Sequence, residues 1–222
     1  MIWRFVTGQL GRRGFDVVKR RSDEPSTEDD RLSDFTPRQI EIWDHVKPFT
    51  LTSPERVYVL MEAIAYLARS GIQGAIVECG VWRGGSMMAA ALTLQDLEEA
   101  RDLWLFDTFE GMTPPGPEDI DYQGRNAESA LAGIDDHYRA TVEEVEKSMI
   151  STGYPREGIH LVKGRVEETI PVRAPDRIAL LRLDTDWYES TAHELEHLYP
   201  RLVRGGVLIV DDYGHWQGSR KA

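Results

Sequence analysis

A chain of 222 residues with a formal charge of −12 has room for one α/β domain and an N-terminal appendage. The charge argues against a nucleic-acid partner, because binding to phosphates rests on Lys and Arg outnumbering acids on some face. One cysteine, Cys79, excludes an internal disulfide and suits a reducing cytoplasm; its place in an aliphatic run makes it a core thiol. No apolar run reaches the length of a membrane span, and no charged-then-apolar start with a small-residue cleavage site is evident.

Residues 1–21 set Arg4, Arg12, Arg13, Lys19, Arg20 and Arg21 against one acid, Asp16, with Trp3, Phe5, Phe15 and several aliphatics interleaved. That mixture suits an arm lying on a membrane surface or on a partner subunit of a homo-oligomer, and Gly8, Gly11 and Gly14 weaken any helix in it, so a mobile tail is expected. Residues 22–36 reverse the charge and lack an apolar pattern, which reads as a linker. The folded domain is expected over 37–222.

Thr36 and Pro37 open a short helix carrying Ile40, Ile42, Trp43 and Val46, and Ser53 and Pro54 open a longer one through Ala68, ended by Gly71. A strand is expected over Ala75–Cys79, then a glycine-rich turn and a helix through about Glu99. A second strand, Leu103–Asp107, leads into a long polar excursion and a helix from about Ala140 to Ser151. Strands follow at Ile159–Lys163, Ile178–Asp184 and Val207–Asp211, with a helix over Ser190–Val203 between the last two. Strands alternating with helical crossovers predict a doubly wound, Rossmann-like parallel sheet in the order 3-2-1-4-5. No internal repeat is visible.

The last two strands are short aliphatic runs that end in acids: Asp184 and Asp186 after the first, Asp211 and Asp212 after the second. In an open parallel sheet, ligands sit outside the carboxyl ends of the strands, so four carboxylates would converge on one spot. Crowded like charges raise one another's pKa unless a cation sits among them, and a hard divalent metal such as Mg²⁺ is the natural occupant. The plain alternative is that these acids are helix N-caps.

VECGVWRGGS is a strand, a turn and a helix start. Its glycines, Gly80, Gly84 and Gly85, are spaced GxxxGG rather than GxGxxG, and no Lys precedes Ser86, so neither the dinucleotide fingerprint nor the P-loop is present. What remains is a turn where a ligand can approach the backbone at Gly80, facing free N–H groups of the next helix and the Ser86 hydroxyl. Those donors suit a carboxylate, and Glu78 suits an amine, which together describe an amino acid. Asp107, at the tip of the second strand, sits where an acid pairs with ribose hydroxyls. An amino acid joined to a ribose is S-adenosylmethionine. The alternative is a tight strand-to-helix turn beside an ordinary strand-end acid.

HELEH, His193–His197, matches the HExxH zinc signature. Ala192, Leu195, Leu198, Tyr199 and Leu202 predict a buried stripe that leaves both histidines facing solvent, and no third ligand follows, which disfavours a protease. Trp82, Trp187, Tyr188, Tyr213 and Trp216 lie beside strand ends and are expected to wall a substrate pocket.

LTSPER at Leu51–Arg56, VECGVWRGGS, FDTFEGM at Phe106–Met112, LRLDTDWYEST and VDDYGHWQGSRKA together resemble the macrocin O-methyltransferase family, the metal-dependent sugar and secondary-metabolite O-methyltransferases of bacteria. LTSPE and ECGVWRGGS are more distantly similar to catechol and caffeoyl-CoA O-methyltransferases. The family resemblance runs from about Phe49 to the last residue. It implies that Thr52, Glu78, Gly80, Ser86 and Asp107, with Val81 and Gly84 of the same turn, line an S-adenosylmethionine site. It also implies that Asp184, Asp211 and Asp212 hold Mg²⁺, that Asp186 is the base, and that the acceptor is a small hydroxylated molecule. The chain departs from the family pattern at Gly164, Arg165 and Val166, where an aromatic is common. It stops at Ala222, where the family continues into a helix and two further strands; the expectation is a fragment of a longer product or a fifth strand whose edge a partner covers. The competing expectation is a non-catalytic S-adenosylmethionine- or nucleotide-binding fragment.

Overall fold

The computed structural model describes residues 28–131 and 135–222. The basic arm of residues 1–21 lies outside the described residues. The boundary between the chain's two units falls between Ser33 and Asp34; the first unit contributes one described helical turn, α1 (Glu28–Arg31), and the second carries the fold.

Helix α2 (Pro37–Val46) starts where Thr36 caps it in a reciprocal box with Gln39, and α3 (Pro54–Arg69) starts from Ser53 with Pro54 in its first turn. Strand β1 (Ala75–Cys79) runs into the turn before α4 (Gly85–Asp96), and β2 (Leu103–Asp107) follows. The excursion after β2 contains α5 (Ala127–Leu131); α6 (Val142–Ser151) then starts at a Thr141–Glu144 capping box. Next come β3 (Ile159–Lys163), α7 (Val166–Thr169), β4 (Ile178–Leu183), α8 (Tyr188–Leu198), β5 (Leu202–Val210) and α9 (Gln217–Lys221). The sheet is parallel throughout, with the predicted order β3-β2-β1-β4-β5.

Ala75, Val77, Cys79, Phe106, Leu181 and Leu183 bury one face of the sheet against Val166 and Leu198 of α7 and α8. By strand alternation Ile76, Glu78, Leu180 and Arg182 point to the opposite face, where α3 and α4 lie. The strand order reverses between β1 and β4, so the crevice of this fold class opens beyond Cys79 and Leu183.

Two element boundaries and one buried face differ most from the sequence reading. Helix α8 stops at Leu198 rather than Val203 because Pro200 cannot continue it, and residues Tyr199–Arg201 form a tighter turn. Strand β5 begins at Leu202 rather than Val207: Ile178 pairs with Leu202 and Leu180 with Val207, so Gly205 and Gly206 sit in a bulge that a glycine pair disguises as a turn. The buried face of α8 is Ser190, Thr191, Glu194 and Leu198, while Tyr199 is exposed, so the predicted stripe is rotated. His193 accordingly is half-buried, its ring nitrogen 3.1 Å from the Ile170 carbonyl, and His197 packs edge-on against it. Among the described helices none is long and apolar enough to cross a membrane.

Candidate active site

Beyond the β1/β4 crevice lies a cavity of about 530 Å³. Thr52, Glu78, Gly80, Val81, Ser86, Asp107, Asp184, Asp186, Asp211 and Asp212 all line it; of the residues expected to hold cofactor or metal or to act as base, Gly84 does not. Gly84 instead caps α4 in the left-handed conformation, at φ 86°.

On the β1 side, the turn after Cys79 is tied to β2. Asp107 accepts the N–H groups of Val81 and Trp82 at 2.8 and 3.1 Å through one carboxylate oxygen and that of Phe109 at 2.8 Å through the other. Asp107 therefore organises the turn itself, as a strand-end acid does, and it borders the cavity. Glu78 is buried, and its Oε2, like the Thr52 hydroxyl, has no hydrogen-bond partner. Buried polar atoms without partners are uncommon, and these two border the same space.

The glycine at 80 has a reason the sequence did not supply. A Cβ there would lie 2.1 Å from the carbonyl oxygen of Asp184, and its φ is +80°. The close neighbour is therefore the loop after β4 as well as any ligand. Gly80→Ala is expected to displace Asp184 and to lower stability by more than about 1 kcal/mol, read by chemical denaturation.

On the β4/β5 side, ligand oxygens of Asp184, Asp211 and Asp212 lie within 4.8 Å of one another, a spacing that one divalent cation can bridge. Asp186, left-handed at φ 66°, hydrogen-bonds Asp212 and accepts the Trp216 indole N–H at 3.1 Å. Asp212 Oδ2 is buried without a partner. The residue the sequence reading missed is Arg182. It pairs in register with Glu78 across β1 and β4, is buried, and bonds three acids: Glu78 and Asp184 (2.6 Å) through Nη1 and Asp211 (2.7 Å) through Nη2. Arg56 takes the other oxygen of Asp211 at 2.6 Å. One cation inside an aliphatic run carries no periodic signal; only the register with Glu78 discloses it.

Five carboxyl groups thus face two guanidinium groups, an excess of acid that must bind protons or a cation. Burial, and then the charge of Asp184, raises Asp186 to about 7, and burial, and then the charge of Asp186, raises Asp212 to about 9. Burial, offset by Arg182, puts Glu78 at about 7. Both aspartates start from an ordinary 3.8, so the folded state holds protons that the unfolded chain releases. That stabilisation is complete below the ordinary value and is lost as pH rises through about 7 and about 9. Without added cation, thermal midpoints are expected to fall steadily between about pH 6 and about pH 9, and a flat profile would contradict the assignment.

The aromatic expectation divides. Trp82, Trp187 and Trp216 line the cavity, and Trp187 and Trp216 meet edge to face at 5.2 Å. Tyr188 and Tyr213 do not line it: the Lys221 ammonium lies 4.9 Å from the Tyr188 ring, and Tyr213 is exposed. The excursion after β2 lines the remaining side through Met112, Thr113, Arg125 and Leu131. It is anchored by buried Asp119, which accepts the N–H groups of Gly116 (2.6 Å) and Tyr188 (2.8 Å), and by the Gln217 N–H on the Ile120 carbonyl (2.8 Å).

Comparison with known proteins identifies the family. The family described as macrocin-O-methyltransferase (TylF) matches residues 18–222. A tetracenomycin-type enzyme of Streptomyces olivaceus, named 8-demethyl-8-(2,3-dimethoxy-alpha-L-rhamnosyl)-tetracenomycin-C 4'-O-methyltransferase, is 34% identical over 166 residues, 74% of this chain and 62% of the relative. Demethyldecarbamoylnovobiocin O-methyltransferase of Streptomyces niveus is 31% identical with the same coverage, and mycinamicin III 3''-O-methyltransferase of Micromonospora griseorubida is 31% identical over 74% of this chain and 65% of its own length. The chain thus spans 62–65% of the length of these curated relatives. Among solved structures, the O-methyltransferase NovP superposes with a TM-score of 0.69 at 30% identity, over 78% of this chain and 71% of NovP. The calicheamicin methyltransferase CalS11, at 22% identity and a TM-score of 0.52 over 93% of this chain and 88% of its own, shares the fold. With the family's match running from before the first described helix to the last residue, the chain belongs to the macrocin-O-methyltransferase family.

Proposed function

We propose that the chain carries an S-adenosylmethionine- and Mg²⁺-dependent O-methyltransferase activity toward a hydroxyl of a sugar or glycosylated secondary metabolite. The observation that carries the reading is that the Gly80 turn and the Asp184–Asp211–Asp212 cluster open into one cavity, which brings a cofactor side and a metal side within reach of the same substrate oxygen. The names of the relatives, all O-methyltransferases of secondary metabolites, support the acceptor class. We assign the activity to residues 37–222, with residues 1–36 as an appendage.

The residues fit both groups. Unpartnered Glu78 Oε2 and Thr52 Oγ1 are the acceptors an α-amino group needs, and Ser86 offers its hydroxyl to a carboxylate, the N–H groups of Gly80 and Val81 being taken by the Phe106 carbonyl and Asp107. Asp107 has lone pairs for ribose hydroxyls. Asp184, Asp211 and Asp212 form the all-oxygen donor set that Mg²⁺ prefers, and Asp212 Oδ2 has no protein partner. S-adenosylmethionine supplies a methyl group on a sulfonium, and the metal supplies Lewis acidity that makes an acceptor hydroxyl easier to deprotonate.

The chain's own residues then do three things. Asp186, raised to about 7 by burial, receives the acceptor proton as a base matched to neutral pH. Trp216 fixes the carboxylate of Asp186 through its indole N–H, and Trp187, Trp216 and Met112 offer apolar faces to a sugar ring. The loop anchored by Asp119 limits water around the reacting oxygen.

Calorimetric titration with S-adenosylhomocysteine is the test of the cofactor half. Micromolar-range binding that Gly80→Ala weakens is expected; a folded chain with no binding would overturn it. The metal half predicts that Mg²⁺ affinity rises from about pH 6 to about pH 9 with release of protons, because Asp186 and Asp212 must lose theirs to make room. Affinity independent of pH would contradict it.

A further inference from the structure

The HELEH run belongs to no three-ligand cluster among the described residues, yet its first glutamate is the most unusual residue in α8. Glu194 is 0% exposed, on the face of the helix that meets the sheet. Both of its carboxyl oxygens lie at the Thr185 hydroxyl, at 3.0 and 3.2 Å, and the buried thiol of Cys79 is a neighbour of its carboxyl. Thr185 stands between Asp184 and Asp186. Cys79 ends β1, and its carbonyl accepts the Asp184 N–H at 2.9 Å. A packed apolar side chain would serve stability at this position better than a buried acid, so its contacts must be sought in what they hold.

What they hold is a loop whose backbone is not at rest. Asp186 is left-handed at φ 66°, the Trp187 N–H turns back onto the Thr185 carbonyl at 2.7 Å, and the Asp184 carbonyl passes so near Gly80 that no Cβ fits. Thr185 borders the cavity, and its hydroxyl is the side-chain tie between this loop and buried Glu194.

We propose that Glu194 is a positioning residue for the proposed reaction: through the Thr185 hydroxyl it fixes the loop that carries Asp184 and Asp186, and thereby the spacing of Asp184 from Asp211 and the aim of Asp186 at the acceptor oxygen. The proposal rests on the reading of Asp184 as a metal ligand and Asp186 as the base. Burial, ahead of any other influence, pushes the Glu194 carboxyl upward from the usual carboxylate range, and glutamine keeps its shape and an oxygen that can accept the Thr185 hydroxyl.

The test compares Glu194→Leu, Glu194→Gln, Thr185→Val and the Leu/Val double variant. Amide hydrogen exchange is read for the segment 184–187 and, separately, for β1 and β2, and Mn²⁺ affinity is read by calorimetry. Glu194→Leu and Thr185→Val are expected to speed exchange in 184–187 while β1 and β2 stay protected, and to weaken Mn²⁺ about tenfold. The double variant should match Glu194→Leu alone, S-adenosylhomocysteine affinity should hold in all, and Glu194→Gln should behave as wild type. Exchange in Glu194→Leu that rises equally throughout the sheet, or that leaves 184–187 unchanged, would overturn the proposal. A wild-type chain that binds no Mn²⁺ would sink the metal reading, and the exchange data would still decide what Glu194 does.

Discussion

Arg182→Met is expected to lower the unfolding free energy by about 3–5 kcal/mol at neutral pH, the range seen when one partner of a buried ion pair is removed. Among the described residues, the guanidinium is the one cation that touches Glu78, Asp184 and Asp211 together. Methionine would fill the space and leave those acids facing one another, with Arg56 reaching only Asp211. Arg182→Lys should recover part of the loss, since a point charge can meet one or two of the acids but cannot span all three with a planar fork. Mg²⁺ should stabilise Arg182→Met more than wild type, because the added cation replaces some of the missing charge. Urea denaturation with and without Mg²⁺ checks all three, and a methionine variant as stable as wild type would show that the cluster is compensated by protons alone.

Asp186→Asn is expected to reduce turnover by about 10²–10⁴-fold, the usual contribution of a positioned acid–base group, with S-adenosylhomocysteine affinity unchanged. The amide keeps the shape of the side chain and can still accept the Trp216 N–H, but it cannot take a proton. Because Asp186 borders Asp212 rather than the Gly80 turn, cofactor binding should be indifferent to the change. Single-turnover kinetics with saturating acceptor separates the chemical step from binding. Unchanged turnover would transfer the base role to another group, and lost cofactor affinity would show that Asp186 supports the site structurally.

The sheet was legible because its strands are aliphatic runs bounded by polar residues: β1, β2 and β3 fall where the sequence puts them. The acids were legible for the same reason, since a carboxylate that ends a buried run can only point beyond the sheet. Where order comes from one side chain bonding backbone, no period exists to read. The excursion after β2 is held by Asp119 and Asp121, both fully buried, and each looks in sequence like one more polar loop residue. Arg182 and Glu194 were hidden by their neighbours: one sits inside an aliphatic strand, the other in a helix whose leucines suggest a different buried face. In both cases register and helix rotation, set by packing at a distance in sequence, decide what the residue meets.

The most direct test of the central claim is transfer of labelled methyl from S-adenosylmethionine to a series of glycosides with free sugar hydroxyls, run with Mg²⁺ and then with chelator. Label is expected on a sugar oxygen of at least one glycoside, abolished by chelator and restored by Mg²⁺. Transfer that proceeds undiminished in chelator would contradict the metal role of Asp184, Asp211 and Asp212, and cofactor binding with no transfer to any acceptor would make the chain a binding domain.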